Sequence, residues 1–200
     1  MRDMSAKKIL VTEAAMNPTK NREKMAELIF ERFGFGGAYF ETQALLSLMA
    51  EGRTEGLVFD SGDGVSHVIP VVDGFIVKHA VQKVLLAGRH VTEYLTKLMQ
   101  QRGYAFNSSA DFETVREIKE EVCYVAYDPI KEQQLANDTT IIDKEYKLPN
   151  GNTIRIGYER FKAAEILFNP EVAGLSCLGI AKMINACLDK VEMVNIVKLL

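Results

Sequence analysis

The stretch from Gly56 to Val77 constrains the fold more than any other part of the chain. Gly56-Leu57-Val58-Phe59-Asp60 reads as a short strand, Ser61-Gly62-Asp63-Gly64 as a tight turn, and Val65 to Val72 as a second strand. Asp73-Gly74 then turns the chain into a third strand through Val77. Asp-Gly turns supply the backbone geometry of tight hairpins, so this segment predicts a three-stranded meander. Helical patterns lie on both sides of it. Period-2 and period-3.6 segments that interleave in this way specify an α/β or α+β protein and exclude a helical bundle or a β-sandwich.

Upstream, Ile9-Leu10-Val11 is a short apolar run expected as a buried strand. Asn17-Pro18 predicts a helix start, with Asn17 as the cap and Pro18 in the first turn. Met25, Leu28, Ile29 and Phe33 follow at helical spacing, and Gly34 stops the run. A second helix is expected over Thr42 to Ala50. Downstream, Val91, Leu95 and Leu98 predict a helix from Gly88 to Gly103. Ser108 or Ser109 caps the next one, with the stripe Phe112, Val115, Ile118 and Val122. Asp128-Pro129 opens a third, Tyr146 to Ile156 is a hairpin turning at Pro149-Asn150-Gly151, and a last helix covers Leu178 to Leu188.

Composition narrows the function classes. With 200 residues, 48% of them hydrophobic and 26% charged, the chain has the make-up of a soluble globular protein. A net charge of -3, with no Lys/Arg cluster longer than two residues, gives no electrostatic footprint for nucleic acid or an anionic membrane. No apolar run approaches the ~20 residues of a membrane span, and no signal-peptide core opens the sequence. Cys123, Cys177 and Cys187 are odd in number and lack C-x-x-C spacing, so reduced thiols and an intracellular setting are expected.

The residues most open to chemistry lie in Asp60-Ser61-Gly62-Asp63-Gly64-Val65-Ser66-His67. Gly62 and Gly64 could take positive φ and let N–H groups converge on an anion, while Asp60 and Asp63 could hold a hydrated Mg²⁺ beside phosphates. A plain hairpin with a Gly-Asp-Gly turn has the same pattern. Arg116, Lys119 and Glu120 fall at i, i+3 and i+4 and share a helix face. That face suits a nucleotide's sugar and base, and it suits a solvated charged surface equally. Gln43 at a helix start can orient a water for phosphoryl transfer. His67, His79 and His90 show no metal-ligand spacing.

Taken in order, several strings resemble the actin family. They are Leu10-Val11-Thr12-Glu13-Ala14-Ala15-Met16-Asn17-Pro18, Asn21-Arg22-Glu23-Lys24-Met25, Asp60 to Val65, Leu86-Ala87-Gly88-Arg89, and Val115-Arg116-Glu117-Ile118-Lys119-Glu120. The resemblance runs from about Lys8 to Asp189. Met16 to Arg22 and Gly103 to Thr114 point to the actin-related branch that nucleates branched filaments, rather than to conventional actin. The resemblance implies a partial actin-like ATPase (ribonuclease H-like) fold. Residues 1–50 would be the remainder of the first subdomain, 51–86 and 177–200 a partial third subdomain, and 87–176 the fourth, helical with a hairpin.

The resemblance also implies roles. Gly62, Asp63, Gly64 and Val65 would surround the phosphates of ATP or ADP, and Asp60 would bind the Mg²⁺ (or Ca²⁺) through water. Gln43 and His67 would position the attacking water. Gly88, Arg116, Lys119 and Glu120 would hold ribose and adenine. The family hydrolyses ATP slowly, and its first phosphate loop and adenosine-closing loop would lie outside these 200 residues. An isolated chain of this kind is expected to oligomerise or aggregate unless chaperoned. The implied partners are the other subunits of the actin-nucleating complex, actin filaments and nucleation-promoting factors, in the cytoplasmic cytoskeleton. A non-catalytic interaction module that binds no nucleotide and a conventional filament-forming actin are the alternatives. The chain departs from the family at His90, where an acidic residue is usual, at Ser66, where Thr is usual, and at Glu41-Thr42, which replace a small apolar pair.

Overall fold

The computed structural model describes residues 4–191 together with Leu199. The expectation for the end of the third subdomain lies outside the described residues at 192–198 and 200. Two compact units make up the chain: residues 1–60, 67–82 and 184–200 form one, and residues 61–66 and 83–183 form the other.

In the first unit, β1 (Lys8–Glu13) pairs in parallel with β2 (Gly37–Thr42), in a register running from Lys8 opposite Gly37 to Glu13 opposite Thr42. The connection is α1 (Thr19–Glu27), extended by a π-helical turn over Leu28–Arg32. The expected strand is present, but it is not buried throughout. Its burial alternates, and Leu10 is 56% exposed. A parallel pair is ordinarily covered on both faces, whereas this one leaves Tyr39 61% exposed as well. β2 was not anticipated, because Gly37, Ala38 and Glu41 hide its period and only the pairing to β1 defines it.

Asn17 does not cap α1, contrary to expectation. Pro18 flanks the first turn and no side chain caps it. Asn17 instead donates from Nδ2 to Glu13 Oε2 at 2.9 Å, and its Oδ1 accepts from Asn21 Nδ2 at 3.1 Å. Arg22 Nε donates to the same Glu13 Oε2 at 3.2 Å, and its Nη2 pairs with Oε1. Glu13, 6% exposed at the end of β1, is thereby tied to α1. α2 (Gln43–Ala50) follows β2 at once and buries Ala44, Leu45 and Leu48 against Ala15, Ile69 and Val71.

The meander is present as β3 (Gly56–Ser61), β4 (Ser66–Val72) and β5 (Phe75–Ile76), in that order. Val71 opposes Ile76 and Val72 opposes Phe75, antiparallel. Asp73 and Gly74 both take positive φ, 50° and 79°, which matches the hairpin expected there. The sheet has a fourth strand that the sequence pattern did not reveal, β6 (Gln82–Val84), also on β4.

The second unit holds α3 (Gly88–Gln101), α4 (Ser109–Val122), α5 (Pro129–Asp138), the antiparallel hairpin of β7 (Lys144–Lys147) and β8 (Thr153–Ile156), and α6 (Glu159–Glu165). A further helix, α7 (Ile180–Leu188), follows α6 in the chain. The anticipated apolar stripes face the core except at Phe112, which is half-buried and outside the core cluster: Val91, Leu95 and Leu98 of α3 and Val115, Ile118 and Val122 of α4 are buried with Ile154, Ile156 and Ile166. Ser108 is the cap of α4. Its Oγ accepts from Asp111 N–H at 3.2 Å, and Asp111 Oδ2 accepts from Ser108 N–H at 2.7 Å, a capping box. Asp128 caps α5 by accepting from the N–H groups of Ile130 and Lys131.

α6 escaped the sequence reading, and it carries a fully buried carboxylate, Glu159. Both its oxygens accept from Arg102 Nη1, at 3.0 and 2.9 Å, and Oε2 also accepts from Gly157 N–H at 2.8 Å. A buried carboxylate stripped of its cation is costly. Arg102→Ala is expected to lower unfolding free energy by on the order of 3 kcal/mol in urea titrations.

The Glu13 contact predicts a pH dependence. Arg22 holds the Glu13 carboxyl below the usual range; burial opposes this and Asn17 reinforces it. A carboxyl that titrates lower when folded stabilises fully above its unfolded value of about 4.3, and that contribution is lost as pH falls through the folded value. Glu13→Gln is therefore expected to lower the melting temperature at pH 7, with the difference from wild type shrinking as pH falls below the unfolded value and through the folded one.

Candidate functional site

The turn between β3 and β4 is fixed from both sides by contacts inside the second unit. Gly62 N–H donates to Val65 O at 3.1 Å, closing the turn. The opening of α3 then grips it: Gly88 N–H donates to Gly62 O at 3.0 Å and Arg89 N–H to Asp63 O at 2.7 Å. The first N–H groups of a helix have no partner within the helix, so they are free to hold a loop. Side chains repeat the bond. Arg89 Nε donates to Asp63 Oδ2 at 2.9 Å, and Arg89 Nη2 pairs with the same oxygen at 2.8 Å. Ser66 Oγ donates to Leu86 O at 2.5 Å and lies 2.7 Å from Ser61 Oγ, which fastens the base of the turn.

These contacts use the carbonyls of Gly62, Asp63 and Val65 and the N–H of Gly62. None uses the N–H groups of Asp63, Gly64 or Val65. The glycines of the turn behave differently from expectation, since neither Gly62 nor Gly64 takes positive φ. Nor does the protein crowd them: a Cβ at Gly64 would meet nothing within 4 Å, and one at Gly62 only Val65 O at 3.9 Å. Gly88 is crowded. A Cβ there would stand 3.3 Å from Gly62 O, 3.4 Å from Lys119 Nζ and 3.8 Å from Asp63 Cα. Glycine at 88 is thus explained by the close approach of α3, the loop and Lys119.

Lys119, on α4, donates from Nζ to Gly88 O at 3.1 Å and joins the same cluster. Arg116 and Glu120, on that helix too, are brought to each other. Arg116 Nη1 donates to Glu120 Oε1 at 2.7 Å, Nε donates to Glu113 Oε1 at 2.9 Å, and Nη2 pairs with Glu113 as well. The two carboxylates raise the Arg116 pKa further above its usual value, and Arg116 lowers that of Glu113. The shared helix face is therefore real, but Arg116 is taken up by two carboxylates of its own helix, while Lys119 reaches Gly88 O.

The remaining sequence candidates belong to the first unit. Asp60 is half-buried in β3, the position before Ser61. His67 is buried in β4. Gln43 is exposed at the first position of α2, where its Nε2 donates to Thr12 Oγ1 at 3.4 Å. Among the described residues, no three His, Cys, Asp or Glu side chains gather as a metal-binding group, and no helix is long and apolar enough to cross a membrane. The three cysteines are free thiols, and burial pushes that of Cys123 up to about 12, which makes it unreactive.

Sequence reasoning missed Arg89, Ser61 and Leu86 as parts of the cluster. The signal was there in Leu86-Ala87-Gly88-Arg89, a glycine and a cation opening a helix. Their target is more than twenty residues upstream, and no periodicity reports such a contact.

The actin family model matches residues 2–200. Actin-related protein 2 of Oryza sativa subsp. japonica is 52% identical over 193 residues, covering 96% of this chain and 50% of the relative. Actin-related protein 2 of Arabidopsis thaliana is 50% identical over 188 residues, 94% of this chain and 48% of the relative. That of Drosophila melanogaster is 51% identical over 181 residues, 90% of this chain and 45% of the relative. The chain spans about half the length of the relatives it matches. Its mixed sheets and helices fit a partial actin-like fold. The chain belongs to the actin family and, within it, resembles actin-related protein 2.

Proposed function

We propose that this chain is the central part of an ATP-binding actin-related subunit that nucleates branched actin filaments. One observation carries the reading. In the Gly62–Val65 turn, the N–H groups of Asp63, Gly64 and Val65 are left over by the contacts that fix it, and its two glycines answer neither to φ nor to protein neighbours. Small residues and spare N–H groups at one turn suit the close approach of a phosphate. Lys119 Nζ, on Gly88 O, adds a cation beside them.

Each residue then has a task. The turn binds the phosphates through backbone N–H groups, and the α3 clamp keeps those groups aimed without a cost of ordering at the moment of binding. Lys119, with Gly88, forms the side of the cleft toward the ribose, and the Arg116–Glu120 pair extends that wall toward the adenine. Asp60 accepts from a water on Mg²⁺ or Ca²⁺. Gln43 and His67 orient the water that attacks. Bound ATP would supply the anhydride whose terminal phosphoryl passes to that water, a reaction that depends on positioning and charge stabilisation. Within this reading, residues 1–50 belong to the first subdomain, 51–86 and 177–200 to the third, and 87–176 to the fourth. The partners are the other subunits of the nucleating complex, actin filaments and nucleation-promoting factors, in the cytoplasmic cytoskeleton. The nucleotide acts as a switch of shape more than as a substrate for turnover.

The test is equilibrium binding of Mg-ATP to the chain. Lys119→Ala and Asp60→Ala are each expected to weaken binding about tenfold or more, the scale of a lost charge-assisted contact. Gly88→Ala is expected to weaken it less, by pushing Gly62 O and Lys119 Nζ apart by a few tenths of an ångström. No binding at millimolar nucleotide would assign the chain to a structural module that keeps the fold alone.

A further inference from the structure

Three cations stand on the two helices that border the Gly62–Val65 turn: Arg89 at the head of α3, and Arg116 and Lys119 on α4. The two arginines are committed to carboxylates. Arg89 holds Asp63 Oδ2 through Nε at 2.9 Å and Nη2 at 2.8 Å, and Arg116 holds Glu113 and Glu120. Lys119 differs. Among the described residues its hydrogen-bond partner is a neutral one, the Gly88 carbonyl at 3.1 Å. An ammonium carries three donors, so a lysine held by one carbonyl keeps both donors and charge for an incoming anion.

Distance is not what keeps Lys119 from a carboxylate. A Cβ at Gly88 would stand 3.4 Å from Lys119 Nζ and 3.8 Å from Asp63 Cα, so the ammonium lies within side-chain reach of the Asp63 carboxyl. Opposite charges attract appreciably at that range, even near a protein surface. The carboxyl is instead taken by Arg89. That pair is 61% and 60% exposed, and an exposed ion pair contributes little to stability. Nor does the clamp on the turn need it, because the clamping donors are the backbone N–H groups of residues 88 and 89. The guanidinium is spare for holding the fold, and its effect falls on the charges around it.

We propose that Arg89 is a positioning residue for the anion site. By occupying Asp63 it leaves Lys119 on Gly88 O, free of any carboxylate, and it cancels a negative charge on the turn itself. That the anion is the phosphate chain of a nucleotide rests on the ATP reading above; the competition of Arg89 and Lys119 for Asp63 does not. Without the guanidinium, Asp63 draws Lys119 off the Gly88 carbonyl. The turn then offers phosphates a lysine already neutralised by a carboxylate.

Two measurements on the chain test this. The first uses no nucleotide: zero-length carbodiimide coupling, which joins a lysine amine to a carboxyl in contact with it, read by peptide mass mapping. The Asp63–Lys119 amide is expected to rise about fivefold in Arg89→Ala over wild type, and in Arg89→Lys to give way to an amide between Asp63 and the new lysine. The second is Mg-ATP affinity. Arg89→Ala is expected to weaken binding about tenfold, the scale given for Lys119→Ala, and adding Asp63→Asn to Arg89→Ala is expected to recover most of the loss. A purely structural role for Arg89 would leave that double variant as weak as the single one. An Asp63–Lys119 amide no more abundant in Arg89→Ala than in wild type overturns the proposal, as does a double variant that fails to recover. Absence of ATP binding in wild type overturns the ATP reading instead, and the coupling yields alone then decide the role of Arg89.

Discussion

Two backbone hydrogen bonds, from Gly88 and Arg89 to the carbonyls of Gly62 and Asp63, are what the candidate site depends on. A turn of small residues between strands has no side-chain mass to define its shape, and its conformational entropy works against any ligand that needs it ordered. The unpaired donors at the head of α3 remove that entropy in advance. Everything else in the cluster follows from that approach: glycine at 88 because a side chain would not fit, Lys119 against the Gly88 carbonyl, and Ser66 fastened to Leu86. The helix that grips the turn is itself anchored by Val91, Leu95 and Leu98 in the apolar core, so the position of the turn is ultimately set by hydrophobic packing.

The same logic explains what was legible in the sequence. Helices were readable from an apolar stripe, as in α3 and α4, or from a polar cap, as in α4 and α5, because both signals are local and Ser108 or Asp128 announces its own role. Hairpins were readable where an Asp-Gly or Asn-Gly pair names the turn. β2 and β6 were not, because a short strand with mixed burial is defined by its neighbour and not by its own pattern. Asn17 misled for a related reason: a good capping residue can be claimed by a better partner, here Glu13.

At the site, the glycine-rich turn and Lys119 were legible as candidates, while their physical relation was not. Gly62 and Gly64 drew notice for a φ they do not adopt. Arg116 and Glu120 share a face as spacing predicts, yet Arg116 is engaged by Glu120 and Glu113 on its own helix. Spacing reports adjacency on a helix. Which of several adjacent charges turns toward a distant loop is decided by tertiary packing, and here only Lys119 does.

The Arg102–Glu159 contact carries a consequence for the time course of folding. The two residues are 57 positions apart, and the glutamate is worth burying only once the cation, the Gly157 N–H and the surrounding apolar wall are all in place. Closing so long a loop costs entropy before it returns any interaction. The pair is therefore a late bolt in the assembly of the second unit. It governs how slowly the finished structure comes apart more than how quickly it forms.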